Sequence, residues 1–232
     1  MNTESVYLVA GSRPWSRKAF DELICRYPGS WNFVGRKDQL TGSFVRRLDP
    51  RYLFFLHWSW IVPDEIVGQH ECVCFHMTDV PYGRGGSPLQ NLIVRGHRGT
   101  KLTALRMTSE LDAGPVYLKE DLSLDGSAEE IFQRAGRLAA HMIERIIREQ
   151  PHPVPQTGSP VIFKRRKPRE SRVPSTENLE HLYDFIRMLD AEGYPRAFLE
   201  HGGIRYEFGN AVLKNGELTS EVRMKLIKEE DL

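Results

Sequence analysis

Four short apolar runs in the first third of the chain constrain the fold most. They lack the alternation of apolar and polar residues that is typical of a half-exposed strand, so they predict strands covered on both faces, as in a parallel α/β sheet. The runs are SVYLVAGS (Ser5–Ser12), WNFVG (Trp31–Gly35), RYLFFLHW (Arg51–Trp58) and CVCF (Cys72–Phe75). Apolar residues at helical spacing follow the first run, which predicts a strand, a turn and a helix.

The middle of the chain continues this α/β pattern. TKLTALRM (Thr100–Met107) and VYLKEDLSL (Val116–Leu124) are strand candidates. A long helix is predicted from Ser127, because Glu130 three positions later completes a capping box and apolar residues recur at helical spacing as far as Ile147. We therefore predict, for residues 1–150, a Rossmann-like domain with a mostly parallel sheet flanked by helices.

The composition changes after residue 150. The proline-rich stretch PHPVPQTGSP predicts a connector, and LEHLYDFIRMLDA predicts a short amphipathic helix. His-Gly-Gly and Lys-Asn-Gly are turn signals between β-prone segments, so they predict a β-hairpin. Residues 151–232 are thus expected to form a connector with a small helix and hairpin appendage.

Charge and composition exclude several broad classes. The chain has 232 residues and a net charge of +1, so no overall field attracts it to nucleic acid or anionic lipid. Three cysteines, no signal peptide and no long apolar run predict a cytoplasmic protein that does not bind membranes. FKRRKPRESR (Phe163–Arg172) is locally basic; a solvated connector is the simpler interpretation, and a nucleic-acid patch is the alternative.

A metal site is not expected, although two histidines and two cysteines alternate from His70 to His76. On a strand they share one face, but its rise of roughly 3.3 Å per residue separates the first and last by about 20 Å, whereas zinc ligands lie about 2.0 to 2.3 Å from the ion. The first strand–helix turn, VAGSRPWS, also lacks the glycine pattern of a dinucleotide site. Ligands of such sheets bind at the carboxyl ends of the strands, where His76 and the following glycine-rich loop are predicted to lie.

The segment FHMTDVPYGRGGSPLQNLIVRGHRGTKLTALRMTSELDAGPVY resembles the catalytic core of the 10-formyltetrahydrofolate-dependent formyltransferases. The resemblance implies the formyltransferase fold, an enzyme, and 10-formyltetrahydrofolate as the co-substrate. It implies that His76 and Asp112 are catalytic, and that HWSWIVP (His57–Pro63) holds the pterin ring. The implied folate-binding residues are Trp58, Trp60, Ile61, Val62, Met107 and Asp112; the two tryptophans are as often core residues as ligand contacts.

Cys74 departs from the family pattern, which has asparagine two residues before the histidine. That asparagine is thought to donate a hydrogen bond to the formyl oxygen, and such a donor is typically worth about 2.7 to 4 kcal/mol, whereas a thiol donates weakly. Three interpretations stay open. Cys74 is a weaker donor in a slower enzyme, another group such as protonated His76 or a backbone N–H replaces it, or catalysis has been lost.

The loop after His76 is the predicted acceptor site. Asp79 is expected to reach an amine or hydroxyl of the acceptor, with loop capping as the alternative. GRGG before Ser87 offers backbone N–H groups to an anion, although turn geometry alone also requires glycine. The predicted substrate-binding residues are Asp79, Tyr82, Gly83, Arg84 and Gly85.

The acceptor is predicted from the length of the segment after the core. About 80 residues leave little room for the C-terminal barrel of methionyl-tRNA formyltransferases, and VIFKRRKP with FIRMLDAEGYPRAF is similar to sugar N-formyltransferases. The resemblance implies a nucleotide-linked amino sugar, such as a UDP-linked 4-amino-4,6-dideoxyhexose for a surface polysaccharide or nonulosonic acid, with no nucleic-acid partner and a homodimer. The alternatives are a non-catalytic folate- or nucleotide-sugar-binding paralogue and a methionyl-tRNA formyltransferase.

Overall fold

The computed structural model describes residues 4–227. Its strands are β1 Val6–Ala10, β2 Ser30–Val34, β3 Tyr52–Phe55, β4 Cys72–His76, β5 Tyr82–Gly85, β6 Gly99–Arg106, β7 Val116–Ser123, β8 Val161–Phe163, β9 Ala197–His201, β10 Ile204–Lys214 and β11 Glu217–Leu226. Its α-helices are α1 Pro14–Glu22, α2 Gly42–Leu48, α3 Asp64–Gln69, α4 Pro88–Val94, α5 Ala128–Glu149 and α6 Leu179–Arg187. Short 3₁₀ turns lie at Ile24–Arg26, Lys37–Gln39 and Pro168–Ser171.

A six-stranded sheet with the order β2-β1-β3-β4-β6-β7 forms the main layer. β1 pairs in parallel with β2 and β3, and β3 pairs in parallel with β4. β4 pairs antiparallel with β6, with Cys74 opposite Leu105 and His76 opposite Thr103. All residues of β3 are buried, as expected for a strand covered on both faces. The predicted Rossmann-like sheet is confirmed.

The long helix α5 begins where the capping box predicts. The backbone N–H of Ser127 donates to the Glu130 carboxylate at 2.8 Å, and the backbone N–H of Glu130 donates to the Ser127 hydroxyl at 3.3 Å. The apolar residues Ile143 and Ile146 are fully buried. Near the start of α5, the ring of Phe132 stacks on Trp15 of α1 with 4.6 Å between centroids. The helical spacing in the sequence therefore marks a face that packs in the core.

By their internal contacts, the residues divide into two compact units. Unit 1 comprises the chain up to Gly85 with Thr100–Leu122 and Phe132–Phe163; unit 2 comprises Gly86–Gly99, Ser123–Ile131 and the chain from Lys164. Within unit 2, β9, β10 and β11 form a three-stranded sheet, so the predicted hairpin gains a third strand. The turns contain Gly202, Gly203 and Asn215 at positive φ, as the turn signals predict.

The proline-rich stretch is an ordered part of unit 1. The backbone of Val154 exchanges two hydrogen bonds with Val116, at 2.7 and 2.8 Å. β8 then pairs in parallel with β5, a short strand in the segment that the sequence indicates as a loop. Unit 1 includes this stretch as far as Phe163. The domain boundary at residue 150 stays a prediction. Among the described residues, no helix is long and apolar enough to cross a membrane.

Candidate active site

His76 lies at the carboxyl end of β4, and its side chain is 9% exposed. Its Nε2 atom is 2.8 Å from the carbonyl oxygen of Gly83. Because a carbonyl can only accept, Nε2 must carry the hydrogen of this bond. The other ring nitrogen, Nδ1, is 3.5 Å from the Asp112 carboxylate, and it is the atom at which the ring can gain or lose a proton.

Asp112 reaches His76 from the loop between β6 and β7. Its backbone has a φ of 53°, in the left-handed region, and its side chain is 11% exposed. The same carboxylate oxygen that faces His76 accepts a hydrogen bond of 2.9 Å from the backbone N–H of Gly85. The structure thus brings together the predicted catalytic pair and one of the glycines of the loop after His76.

The carbonyl group that anchors His76 is itself held in place. The Thr78 hydroxyl donates to the Gly83 oxygen at 3.3 Å, and the Thr103 hydroxyl donates to the Thr78 carbonyl at 2.7 Å. Gly83 has a φ of 78°, and a Cβ atom there would come within 2.7 Å of Thr78 and 2.8 Å of Phe163. Glycine is therefore required for the close approach that fixes the imidazole.

Cys74 lies two residues before His76 on β4, and so on the same face of the sheet. It packs against a hydrophobic cluster that includes Val62 and is also contacted by Trp58 and Met107. Four of the predicted site residues thus share one apolar surface. Burial, with a smaller contribution from the nearby Asp112 charge, raises the pKa of the Cys74 thiol well above its ordinary value. The thiol therefore stays protonated at neutral pH and can act only as a weak donor.

The predicted folate segment has a buried end and an exposed end. The indole Nε1 of Trp58 is buried and has no hydrogen-bond partner within residues 4–227. Trp60 is 38% exposed and packs edge-on against Trp58 with 4.8 Å between ring centroids, whereas Ile61 is 92% exposed. A buried donor without a partner costs about 1 to 3 kcal/mol, so an acceptor atom of a ligand would stabilise this segment. These residues fit a flat, polar ring such as a pterin.

The predicted acceptor residues make contacts within unit 1. Asp79 is exposed and forms an ion pair with Lys119, while Tyr82 packs edge-on against Phe163 with 5.4 Å between centroids. Arg84 is 13% exposed and donates to Glu110 at 3.4 Å and, through Nε and Nη2, to the amide oxygen of Gln156. A substrate contact by any of these residues remains a prediction, as do the catalytic and folate-binding roles.

Gln156 is a site residue that the sequence does not reveal. Its Nε2 donates to the carbonyl oxygens of Asp112 and Gly114, each at 2.8 Å. It also lines a cleft of about 330 Å³ formed with residues 79–81, Val116, Lys119 and residues 154–157. The only signal in the sequence is a single amide side chain within a proline-rich stretch, and this type of pattern predicts a connector.

Metal ligation is not part of this arrangement within the described residues. Between residues 4 and 227, no group of three or more His, Cys, Asp or Glu side chains is placed to hold an ion. His76 is bonded to a carbonyl and faces a carboxylate, while Cys74 packs on the apolar cluster. The geometry suits proton transfer beside an apolar surface.

Comparison with known proteins identifies the family. A solved structure named methionyl-tRNA formyltransferase from Clostridium thermocellum shares 42% identity with this chain, covers 96% of it and 99% of its own length, and superposes with a TM-score of 0.90. The chain belongs to the formyltransferase family. This confirms the predicted formyltransferase fold and the prediction that the chain is an enzyme of this class.

A curated relative and a further solved structure are also similar to this chain. Methionyl-tRNA formyltransferase from Rickettsia prowazekii is 31% identical over 134 residues, which are 56% of this chain and 43% of that protein. The chain spans about half the length of the curated relatives it matches. HypX from Aquifex aeolicus, solved in complex with tetrahydrofolic acid, shares the fold at 18% identity and a TM-score of 0.73, over 90% of this chain and 38% of that one. The predicted 10-formyltetrahydrofolate co-substrate is the one that the formyltransferase family uses, whereas the likeness to HypX shows the fold alone.

The predicted partners of this formyltransferase are wrong. A nucleotide-linked amino sugar, with no nucleic acid, was inferred because few residues follow the core. However, residues 168–225 match the family model of the methionyl-tRNA formyltransferase C-terminal domain, and the relatives above are named for tRNA. Length after the core is a poor guide, because a short β-rich segment can match that domain without containing a large barrel.

Proposed function

We propose that this formyltransferase transfers a formyl group from 10-formyltetrahydrofolate to the amine of a methionyl group carried by tRNA. The single observation that carries this proposal is the 42% identity to a methionyl-tRNA formyltransferase over nearly the full length of both chains. The match of residues 168–225 to the C-terminal domain of such enzymes supports it independently of the catalytic core.

The folate is proposed to bind on the segment Trp58–Val62 and the apolar cluster beside it. Trp58 offers its buried, unpartnered indole N–H, and Val62, Met107 and Cys74 offer an apolar wall. The bound folate supplies the activated formyl group. Trp60 and Ile61, which are exposed and lie between Trp58 and Val62 in the chain, are proposed to cover the ligand.

His76 is proposed to take up the proton that the attacking amine loses. Formyl transfer forms a bond between the amine nitrogen and the formyl carbon, and the amine must release a proton as it does so. With Nε2 bonded to the Gly83 carbonyl, the proton enters at Nδ1, where the Asp112 carboxylate at 3.5 Å stabilises the charged ring. Asp112 is also proposed to fix the orientation of the imidazole, because the same carboxylate oxygen is held by the backbone N–H of Gly85.

The basic segment, residues 164–172, is the proposed contact for tRNA. Lys164, Arg165, Lys167 and Arg169 are exposed, and among residues 4–227 none of these four side chains forms an ion pair with an acid. Arg172, by contrast, is paired with Glu200 at 2.6 Å. Unpaired cations in one short segment are suited to phosphates, whose neutralisation releases counterions. The segment overlaps the residues that match the C-terminal domain model.

The deciding experiment supplies the purified protein with 10-formyltetrahydrofolate and four acceptors in parallel. These are methionyl initiator tRNA, methionyl elongator tRNA, free methionine and a panel of nucleotide-linked amino sugars. Mass spectrometry detects the formyl group on each amine, and His76→Ala serves as the inactive control. We expect formyl-methionyl-tRNA to be the main product.

Each other product pattern would overturn the proposal in a different way. Equal formylation of free methionine and methionyl-tRNA would show that tRNA is not recognised. Formylation of an amino sugar without methionyl-tRNA would show that the acceptor class is different. No product, with folate binding measured separately, would show either that the acceptor is none of these amines or that the site with Cys74 binds without catalysing. A cytoplasmic location remains a prediction.

A further inference from the structure

Gln156 joins three separate segments of unit 1 through one side chain. Its amide nitrogen donates to the carbonyl oxygens of Asp112 and Gly114, each at 2.8 Å. Its amide oxygen accepts from Arg84 Nε at 3.0 Å and from Nη2 at 2.9 Å. A glutamine amide has two donor hydrogens and two acceptor lone pairs, so all four positions are used here.

The loop that carries Asp112 has little apolar packing of its own. Leu111 is 71% exposed, and the Glu110 side chain is 76% exposed. Asp112 itself has a φ of 53°, a left-handed conformation that is strained for a non-glycine residue. Such a conformation persists only where neighbouring groups hold it, and the bonds from Gln156 act on the carbonyls on either side of Ala113.

We propose that Gln156 is a positioning residue, which together with Arg84 holds the loop that presents Asp112 to His76. The catalytic consequence rests on the proposed function, whereas the positioning itself does not. Arg84 contributes charge-assisted hydrogen bonds, which are stronger than those between neutral groups. Arg84 donates through Nε and Nη2 to Gln156, so its proposed role in this arrangement is a contact within the protein.

The backbone of the proline-rich segment is held in place around Gln156. The bonds of Val154 to Val116 and the pairing of β8 with β5 fix the backbone on both sides of Gln156. Because its backbone is fixed, Gln156 can hold the Asp112 loop through its side-chain hydrogen bonds. Without these bonds, the Asp112 carboxylate can move away from the Gly85 N–H and from His76 Nδ1. A displacement of about 1 Å in a catalytic group can lower a rate by about 100-fold.

The test uses two substitutions at Gln156 and a matched control. Gln156→Ala removes all four bonds, whereas Gln156→Glu keeps an acceptor for Arg84 and places a second acceptor against the two carbonyls. Gln39→Ala is the control, because Gln39 is also a half-buried glutamine of unit 1 that bonds to backbone, accepting from Gly35 at 2.9 Å and Arg36 at 3.0 Å. It lies outside the catalytic and binding residues.

The first readout does not depend on the acceptor. Hydrogen exchange of the Gly85 amide, followed by NMR, reports whether the Asp112 carboxylate stays in place. We expect this amide to exchange at least about tenfold faster in Gln156→Ala and Gln156→Glu, and at the wild-type rate in Gln39→Ala. Unchanged protection of Gly85 in both Gln156 variants would overturn the proposal, whatever the substrate of the enzyme.

The second readout is a double-mutant cycle with Asp112→Asn. In the wild-type background, Gln156→Glu is expected to lower kcat by about 100-fold with a small change in the KM for folate. In the Asp112→Asn background the further loss should be less than about twofold, because both residues act through one carboxylate. An equal loss in both backgrounds would show that Gln156 acts independently of Asp112, and would overturn the proposal.

The two proposals fail in distinguishable ways. If the wild-type protein formylates an amine other than methionyl-tRNA, the kinetic cycle is run with that acceptor and the proposed function alone is wrong. If the wild type formylates methionyl-tRNA but Gly85 protection does not depend on Gln156, the positioning proposal alone is wrong.

Discussion

The site around His76 and the basic segment, residues 164–172, treat their polar groups in opposite ways. In the site, almost every polar group has a partner within unit 1: His76 bonds to Gly83, Asp112 bonds to Gly85, and Gln156 uses all four of its hydrogen-bonding positions. In the basic segment, four cations are exposed and have no ion-pair partner within the described residues.

This difference indicates what each region contributes. Buried groups that satisfy one another keep fixed positions, which is what proton transfer needs, and their loss should appear mainly in kcat. Exposed cations without ion-pair partners are accessible to phosphates, so they can bind a polyanion without fixing a geometry. Their loss should appear mainly in KM and in the dependence on salt.

The largest expected effect is that of His76→Ala. Removal of a general acid–base typically lowers a rate by about 10²- to 10⁴-fold, and we expect about 10³-fold in kcat. Folate affinity should change little, because the proposed pocket uses Trp58, Val62 and Met107. Single-turnover formylation and quenching of tryptophan fluorescence by the folate measure the two quantities. Turnover close to that of the wild type would show that the proton takes another route.

The next effect concerns the basic segment. Replacement of Lys164, Arg165, Lys167 and Arg169 by Gln should raise the KM for methionyl-tRNA by about tenfold or more, with kcat nearly unchanged. The slope of log KM against log salt should fall by about 0.9 for each phosphate contact that is lost. A loss of kcat at constant KM would show that the basic segment acts on catalysis, as the site around His76 does, and not on tRNA binding.

A matched variant controls for net charge. Lys18, Lys37, Arg47 and Lys214 are exposed cations elsewhere in the chain, and their replacement by Gln changes the net charge by the same amount. We expect this variant to keep the wild-type KM and salt dependence. If both variants lose affinity equally, the effect is a general one of charge, and the basic segment has no special role in tRNA binding.

The sequence predicted those parts of the molecule that depend on local patterns. Unbroken apolar runs predicted β1, β3 and β4, and the capping box of Ser127 predicted the start of α5. His76 and Asp112 were recognised through the family pattern, and the structure places them 3.5 Å apart. The strands and the helix start are formed by neighbours in the chain, so spacing and residue type predict them, whereas the pairing of His76 with Asp112 is predicted only by the family pattern.

The parts that were missed depend on contacts between distant segments. β5 looks like a glycine-rich turn, and it is a strand only because β8, nearly 80 residues later, pairs with it. Gln156 is joined to Asp112 across 44 positions in the sequence, so no local pattern marks it. The acceptor was predicted wrongly for a related reason, because chain length says nothing about which surface a short segment presents.

The smallest expected effect concerns Cys74 and tests whether the site around His76 is closed to water. Burial raises the pKa of this thiol, so the folded protein keeps the proton while the unfolded chain releases it above about pH 8.5. Ionisation then favours the unfolded state, and the free energy of unfolding must fall as the pH rises. Relative to Cys74→Ser, which has no thiol at this position, the wild type should lose at most about 1.4 kcal/mol per pH unit between about pH 9 and 10.5. Urea unfolding of the two proteins measures this difference; parallel pH profiles would show that water reaches Cys74 and that the site is more open than its contacts indicate.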